Sequence, residues 1–266
     1  MTHRFALVTG ASSGIGACFA RALPTATSLL LTARNAEALT RMRDELAAPG
    51  RVVEVIAADL ATDEGRSSVI AKAMALEIDL LINNAGVGPF GAVLENDPAF
   101  ERATVELNVV APVVLTRALL PGMLDRAAVS GRRAGLILLS SQLAFQPVPF
   151  VTTYGASKSF LLAYGEGLAA ELKGRMADVL VLCPGATRTG FGRRAGFEYG
   201  SLPGAADPMD VARAGLSALG RRTVHVHGMA PRTVLAPLLW SRRKAAGGLG
   251  AMLTAFRRAQ RPSRTR

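Results

Sequence analysis

Short apolar runs recur along the first 190 residues: FALVTG (5–10), SLLLTA (28–33), VVEVIAAD (52–59), DLLINNAG (79–86), GLILLSS (135–141) and DVLVLCPG (178–185). Each is nearly continuous in Val, Leu, Ile and Ala and lacks the polar–apolar alternation of a half-exposed strand. That pattern predicts strands of a parallel sheet covered on both faces. Between them, segments such as 35–48 and 98–120 carry apolar residues at helical spacing. Alternating strands and helices predict right-handed crossovers, and hence an α/β fold of three layers (αβα) in a single domain over residues 1–228. Most of the runs end in Gly, Asn, Ser or Asp, so the polar chemistry collects at the carboxyl edge of the sheet, where such folds bind ligands. Residues 186–207 are rich in Gly and polar residues and read as a loop over that edge. Asp207-Pro208-Met209-Asp210 then reads as a helix start, Gly220 as its end, and RTVHVHG (222–228) as a last short strand.

Three sets of residues at that edge carry chemistry. Thr9-Gly10-Ala11-Ser12-Ser13-Gly14-Ile15-Gly16 follows the first run and opens a helix. Glycines there let backbone N–H groups approach a pyrophosphate, and the helix N-terminus adds positive potential. A nucleotide fold of this kind usually places an acid about 20 residues further on, to hold the ribose hydroxyls of NAD. Here the second strand ends instead in Ala33 and Arg34. Without the acid, the repulsion of a 2′-phosphate is gone, and a guanidinium can pair with it. Tyr154 and Lys158 lie four residues apart on one helix face. An ammonium beside a phenol is expected to lower its pKa into the range of general acid–base work. Ser141, at a strand end thirteen residues before Tyr154, can hydrogen-bond a reacting oxygen.

In their order and spacing, TGASSGIG (9–16), Asp59-Leu60, Asn83-Asn84-Ala85-Gly86, Asn108, Ser141, Tyr154-Gly-Ala-Ser-Lys158 and Pro184-Gly185 with Thr189 resemble the short-chain dehydrogenase/reductase family in its compact single-domain form. The resemblance covers about the first 190 residues. It implies a doubly wound Rossmann sheet and hydride transfer between a nicotinamide cofactor and a carbonyl or alcohol. It also implies catalytic roles for Tyr154, Lys158, Ser141 and Asn108, the last holding a water in the proton relay. Cofactor contacts implied in the same way are Gly10, Ser12, Ser13, Gly14, Ile15, Gly16, Asp59 and Leu60 on one side. Asn83, Ala85, Gly86, Pro184, Gly185, Thr187 and Thr189 complete them, with Tyr154 and Lys158. Asp59 would meet the adenine or else cap the next helix, and Asn83 and Asn84 are either trough residues or structural ones. NADPH-using members often carry a basic residue where Arg34 stands, which makes NADP(H) the expected cofactor and reduction the expected direction. Some carry another just before the second glycine, where this chain has Ser13. A homodimer or homotetramer is implied as well.

Charge modifies this picture only at one end. The net charge is +11. Twelve of the 31 basic residues lie after Asp210, where there is no acid, leaving 19 basic against 20 acidic in the rest. A basic appendage, 229–266, is therefore set apart from a near-neutral body, which argues against a nucleic-acid-binding domain. Its apolar-and-basic stretches either complete the pocket, mediate subunit contacts, or touch an anionic membrane surface weakly. The first run starts almost at the first residue, and no uninterrupted apolar run approaches about 18 residues. With two distant cysteines, Cys18 and Cys183, expected as buried free thiols, a cytoplasmic protein is predicted. The three histidines have no Cys or carboxylate cluster around them, so no metal site is expected. The apolar QLAFQPVPF (142–150) beside Tyr154 points to a hydrophobic substrate. Two other readings stand beside the reductase: an acyl or steroid ketone reductase at a membrane surface, and a nucleotide-sensing or scaffold protein that keeps the fold without turnover.

Overall fold

The structure, a computed structural model, describes residues 3–192 and 204–228. The appendage 229–266 and residues 193–203, half of the expected 186–207 loop, lie outside the described residues. The apolar runs form β1 (Phe5–Thr9), β2 (Ser28–Ala33), β3 (Val53–Ala57), β4 (Leu80–Asn83), β5 (Ala134–Leu139), β6 (Ala177–Pro184) and β7 (Val224–His227). They pair in parallel in the order β3-β2-β1-β4-β5-β6-β7. Leu7 of β1 stands opposite Leu30 of β2 and Leu81 of β4. Successive leucines of β2 explain why the runs are continuous. Leu29 and Leu31 pack on one face with Phe19 and Val211, while Leu30 packs on the other with Leu7, Leu81 and Leu115. Both faces are dry, so neither tolerates a polar alternation.

Helices cover the two faces. α1 (Gly14–Ala22), α2 (Ala36–Leu46) and the last described helix, Pro208–Ala218, contribute to one. α3 (Asp63–Ala75), α5 (Ala111–Ser130) and α6 (Thr152–Glu171) contribute to the other, and a short α4 (Pro98–Val105) precedes α5. The helix Pro208–Ala218, hereafter α7, starts as its sequence predicts. Asp207 accepts a bond from the Met209 N–H at 2.8 Å, and Pro208 occupies the first turn. Beyond it Gly220 adopts a φ of 75°, a left-handed conformation that favours glycine.

The segment 98–120 departs from expectation in one respect. Its spacing predicts one helix, but the run is divided by a π-turn at Glu106–Val110. A widened turn of this kind inserts a residue into the helical ladder and commonly lies at functional sites. The helical run Pro98–Ser130 is long and apolar enough to cross a membrane by length and composition, its most apolar 18-residue window having a mean hydropathy of 1.6. In this fold Leu115, Leu119 and Met123 on it are buried in the core that the sheet shares with α3 and α6.

The approach of α6 to the sheet is glycine-dependent. A Cβ on Gly165 of α6 would lie 2.3 Å from Cγ2 of Val181 and 3.0 Å from Cδ1 of Leu138. Gly165→Ala is expected to destabilise the fold by about 1–3 kcal/mol through overpacking, measured by urea denaturation. An unchanged midpoint would show that α6 stands further from β6 than described.

Candidate active site

Between β1 and β4 the sheet order turns back on itself, because the chain winds outward through β2 and β3 before crossing to β4. Open α/β sheets bind ligands in the crevice at that point. A cavity of about 600 Å³ opens there, bounded by Arg34 and Asp59 toward one end and by Ser141, Tyr154 and Lys158 toward the other. Its floor depends on Thr9 and Asn84. The Thr9 hydroxyl accepts bonds from the N–H groups of Asn84 and Ala85, both at 2.9 Å, and the Asn84 side chain donates to the Thr9 carbonyl at 2.7 Å. These bonds hold the ends of β1 and β4 together under the glycine turn. The turn fits so closely that a Cβ on Gly10 would lie 2.9 Å from Asn84 Nδ2, and Gly10 itself has a φ of 67°. Ser13 is the N-cap of α1, but its side chain makes no capping bond. The hydroxyl and the first-turn N–H groups are therefore available to an anion at the cavity wall.

Most of the expected residues meet in this one place. Gly10, Ser12, Ser13, Gly14, Ile15, Arg34, Asp59, Leu60, Ala85, Gly86, Pro184, Gly185, Thr187 and Thr189 line the cavity with Ser141, Tyr154 and Lys158. Three do not. Gly16 lies behind the turn, where a Cβ would come within 2.3 Å of the Gly10 carbonyl oxygen, so its smallness serves packing. Asn83 is buried and donates to Thr116 Oγ1 at 3.2 Å, which turns it toward α5 and away from the wall that its neighbour Asn84 lines. Asn108 is fully buried in the π-turn. Its carboxamide accepts from the Val87 N–H at 3.0 Å, donates to the Val87 carbonyl at 2.8 Å and donates to Ser157 Oγ at 2.9 Å. Its side chain thus pins the segment after β4 to α6. Asp59 does not cap α3, because Thr62 performs that task by accepting from the Gly65 N–H.

Around Tyr154 the electrostatics differ from the simple expectation. Lys158 Nζ donates to the Leu139 carbonyl at 2.8 Å and stands 5.6 Å from the Tyr154 ring centroid. Burial pushes the Tyr154 phenol up to about 12, and a hydrogen bond with Ser141 works against that rise. Burial also pushes Lys158 down to about 8. Desolvation therefore outweighs any ammonium–phenolate attraction, and the phenol is raised where the residue spacing predicts it lowered. At neutral pH the phenol holds its proton firmly and the lysine keeps its charge. This is the protonation state that a proton donor to a carbonyl oxygen requires.

Other residues also shape the site, Gln142 and Phe191 from the stretches expected to flank it and Gly88 and Arg188 with no role expected. Gly88 lies against the Tyr154 ring, with a virtual Cβ 2.6 Å from Cδ2, and the Phe191 ring lies on Tyr154 at a centroid distance of 5.3 Å. Gln142 donates to the His227 carbonyl at 3.0 Å, joining the turn after Ser141 to β7. Arg188 closes the base of the segment after β6. Its guanidinium reaches the Ala205 carbonyl at 2.6 Å and Asp207 at 3.3 Å, while Thr187 bridges Ala206 in parallel. Nothing local in the sequence marks Gly88 or Arg188. Cys18 and Cys183 are both buried free thiols, as expected, and burial pushes Cys183 up to about 12, which leaves it an unreactive thiol.

The sequence profile described as short chain dehydrogenase matches residues 4–198. The chain belongs to that family. This short-chain dehydrogenase is 35% identical over 277 aligned positions to dehydrogenase/reductase SDR family member 7B from Bos taurus, an alignment that covers 97% of this chain and 82% of the relative. Its fold is similar to a solved short-chain dehydrogenase from Sphingobium yanoikuyae in complex with NADPH, with a TM-score of 0.77, 27% identity and coverage of 98% and 99% of the two chains. It is also similar to the bulky-bulky ketone specific alcohol dehydrogenase from Comamonas testosteroni, with a TM-score of 0.72, 26% identity and coverage of 100% and 98%. The cavity and its lining fit a nicotinamide dinucleotide: a glycine turn with free N–H groups at one helix N-terminus, a long trough, and a Ser, Tyr and Lys set at its end. As a family member the chain is an oxidoreductase that acts on CH–OH groups with a nicotinamide cofactor.

Gly88→Ala forces a methyl group into the Tyr154 ring. Turnover should fall about 10- to 100-fold through misplacement of the phenol, while cofactor binding measured by fluorescence titration stays near the parent value. Unchanged kcat would show that the ring has room to move.

Proposed function

We propose that this short-chain dehydrogenase is an NADP(H)-dependent reductase of a hydrophobic ketone or aldehyde. The observation that carries the cofactor half is the pair Ala33 and Arg34 at the cavity rim. Both line the cavity, and Arg34 is two-thirds exposed, its Nη1 4.0 Å from Asp59 Oδ2. So loose an exposed pair contributes little, and the guanidinium can turn to a doubly charged phosphate at small cost. The neutral Ala33 side chain leaves no carboxylate at the strand end to repel it. Ser12 and Ser13 offer hydroxyls on the same wall. The NADPH in the Sphingobium structure supports the same reading.

The bound cofactor would supply the hydride to the carbonyl carbon and receive it in the reverse direction. Tyr154 would donate its proton to the carbonyl oxygen, and Ser141, whose Oγ already accepts from the Leu143 N–H at 3.1 Å, would orient that oxygen with its own O–H. Lys158, held by the Leu139 carbonyl, would stabilise the phenolate as it forms. Asn108 would hold Val87 in place beside them. The apolar wall formed by Val87, Leu143 and Phe191 supports a hydrophobic substrate, as does the ketone-specific likeness. A homo-oligomer and a cytoplasmic setting belong to this proposal as well, testable by light scattering and by fractionation. The appendage 229–266 is proposed as a pocket edge or a weak membrane contact.

Three measurements test the proposal. Steady-state kinetics with both cofactors should show NADPH preferred, and Arg34→Ala should shrink the preference about tenfold or more, as for loss of a charge-assisted bond; an unchanged ratio refutes the assignment. Tyr154→Phe should abolish carbonyl reduction and retain NADPH binding, whereas full activity would remove Tyr154 from the mechanism. The pH dependence follows from Lys158. It is charged below about 8 and neutral above, so kcat/KM for reduction should be level at lower pH and decline as pH rises through about 8. A profile flat to pH 10 would contradict the assigned role.

A further inference from the structure

Arg66, in the first turns of α3, is a buried charge that the proposed chemistry does not use. It retains about 6% side-chain exposure. A guanidinium so deep in the fold persists only where acceptors surround it. One nitrogen, Nη1, donates both to the Leu60 carbonyl at 3.0 Å and to Glu106 Oε2 at 3.2 Å, and Nη2 pairs with Asp63. Of the two Nη1 partners, Leu60 lines the cavity and Glu106 adjoins Leu107, which also lines it. Leu60 follows Asp59 at the Arg34 end. Glu106 is the first residue of the π-turn, whose next residue, Leu107, lines the cavity and whose third, Asn108, grips Val87 and Ser157. Val87 leads on to Gly88 and the Tyr154 ring, and Ser157 precedes Lys158.

We infer that Arg66 is a positioning residue that locks the Asp59–Leu60 wall to the π-turn, so that one guanidinium sets both the grip on the adenosine end of the cofactor and the placement of Asn108. The inference rests on the NADP(H) reading above. The Arg66–Glu106 pair anchors the π-turn at its first residue. The proximity of Leu60 to the same nitrogen makes the anchor common to Leu60 and the π-turn.

The test uses the full chain with Arg66→Met, Glu106→Gln and the double substitution. Binding is read with NADPH and with adenosine 2′,5′-bisphosphate, and kcat and KM are read separately. Arg66→Met should weaken both ligands about tenfold, as for loss of a charged hydrogen bond, and lower kcat as Asn108 shifts. Glu106→Gln should act in the same direction, and the double variant should be no worse than Arg66→Met, because both act through one contact. Unchanged dissociation constants and kcat beside a lowered melting temperature would reduce Arg66 to a stabilising role and overturn the inference. Effects that multiply in the double variant would overturn it too. If Arg66→Met does not fold, Glu106→Gln decides alone, with unchanged binding and kcat as the refuting result. Failure of the unsubstituted chain to bind NADPH would overturn the cofactor reading and this inference with it; binding by that chain with no change in the variants overturns this inference only.

Discussion

The bonds between Thr9 and Asn84 are the constraint on which the rest of the site depends. Two parallel strands that diverge at a switch point leave backbone groups at their ends without partners. Here one hydroxyl takes two of those N–H groups and one carboxamide takes a carbonyl. Because these groups are partly buried, leaving them unpaired would cost about 1–3 kcal/mol each. The same bonds fix how near the glycine turn comes to β4, so the backbone donors of that turn and the trough along β4 share one frame.

Burial then decides the chemistry at the other end. The end of the cavity buries a tyrosine and a lysine, and each is pushed toward its neutral form. Spacing along a helix indicates that the two side chains share a face, but it says nothing of the solvent they lose or of the Leu139 carbonyl that takes up the ammonium. A phenol that resists ionisation and a lysine poised near its midpoint form a donor and a stabiliser suited to protonating an oxygen. Proton release, needed in the reverse direction, works against the same burial.

The fold was legible in the sequence because its cause is local. Leucines facing alternate sides of a doubly covered sheet leave a continuous apolar run, and the caps at Asp207-Pro208 and the turn at Gly220 are written in single residues. The cradle was legible for the same reason, with Gly10, Ser12, Ser13 and Arg34 all meeting at one edge. What escaped depends on partners distant along the chain. Asn83 and Asn84 look interchangeable in sequence, and only the pleat of β4 sends one toward Thr116 and the other toward Thr9. The π-turn escaped because Asn108 sits within unbroken helical spacing, and its side chain is spent on Val87. Gly88, Arg66 and Arg188 act through contacts that no short pattern encodes.

The clasp made by Arg188 has a consequence for the chain beyond it. It stitches the chain on either side of residues 189–204 to Ala205, Ala206 and Asp207. A segment tied at its base can lengthen or change composition with only a small entropic penalty. Thr187, just inside the tie, keeps its station on the cavity wall whatever is inserted beyond it. The tie thus makes the cavity wall up to Thr187 independent of the length of the chain that follows.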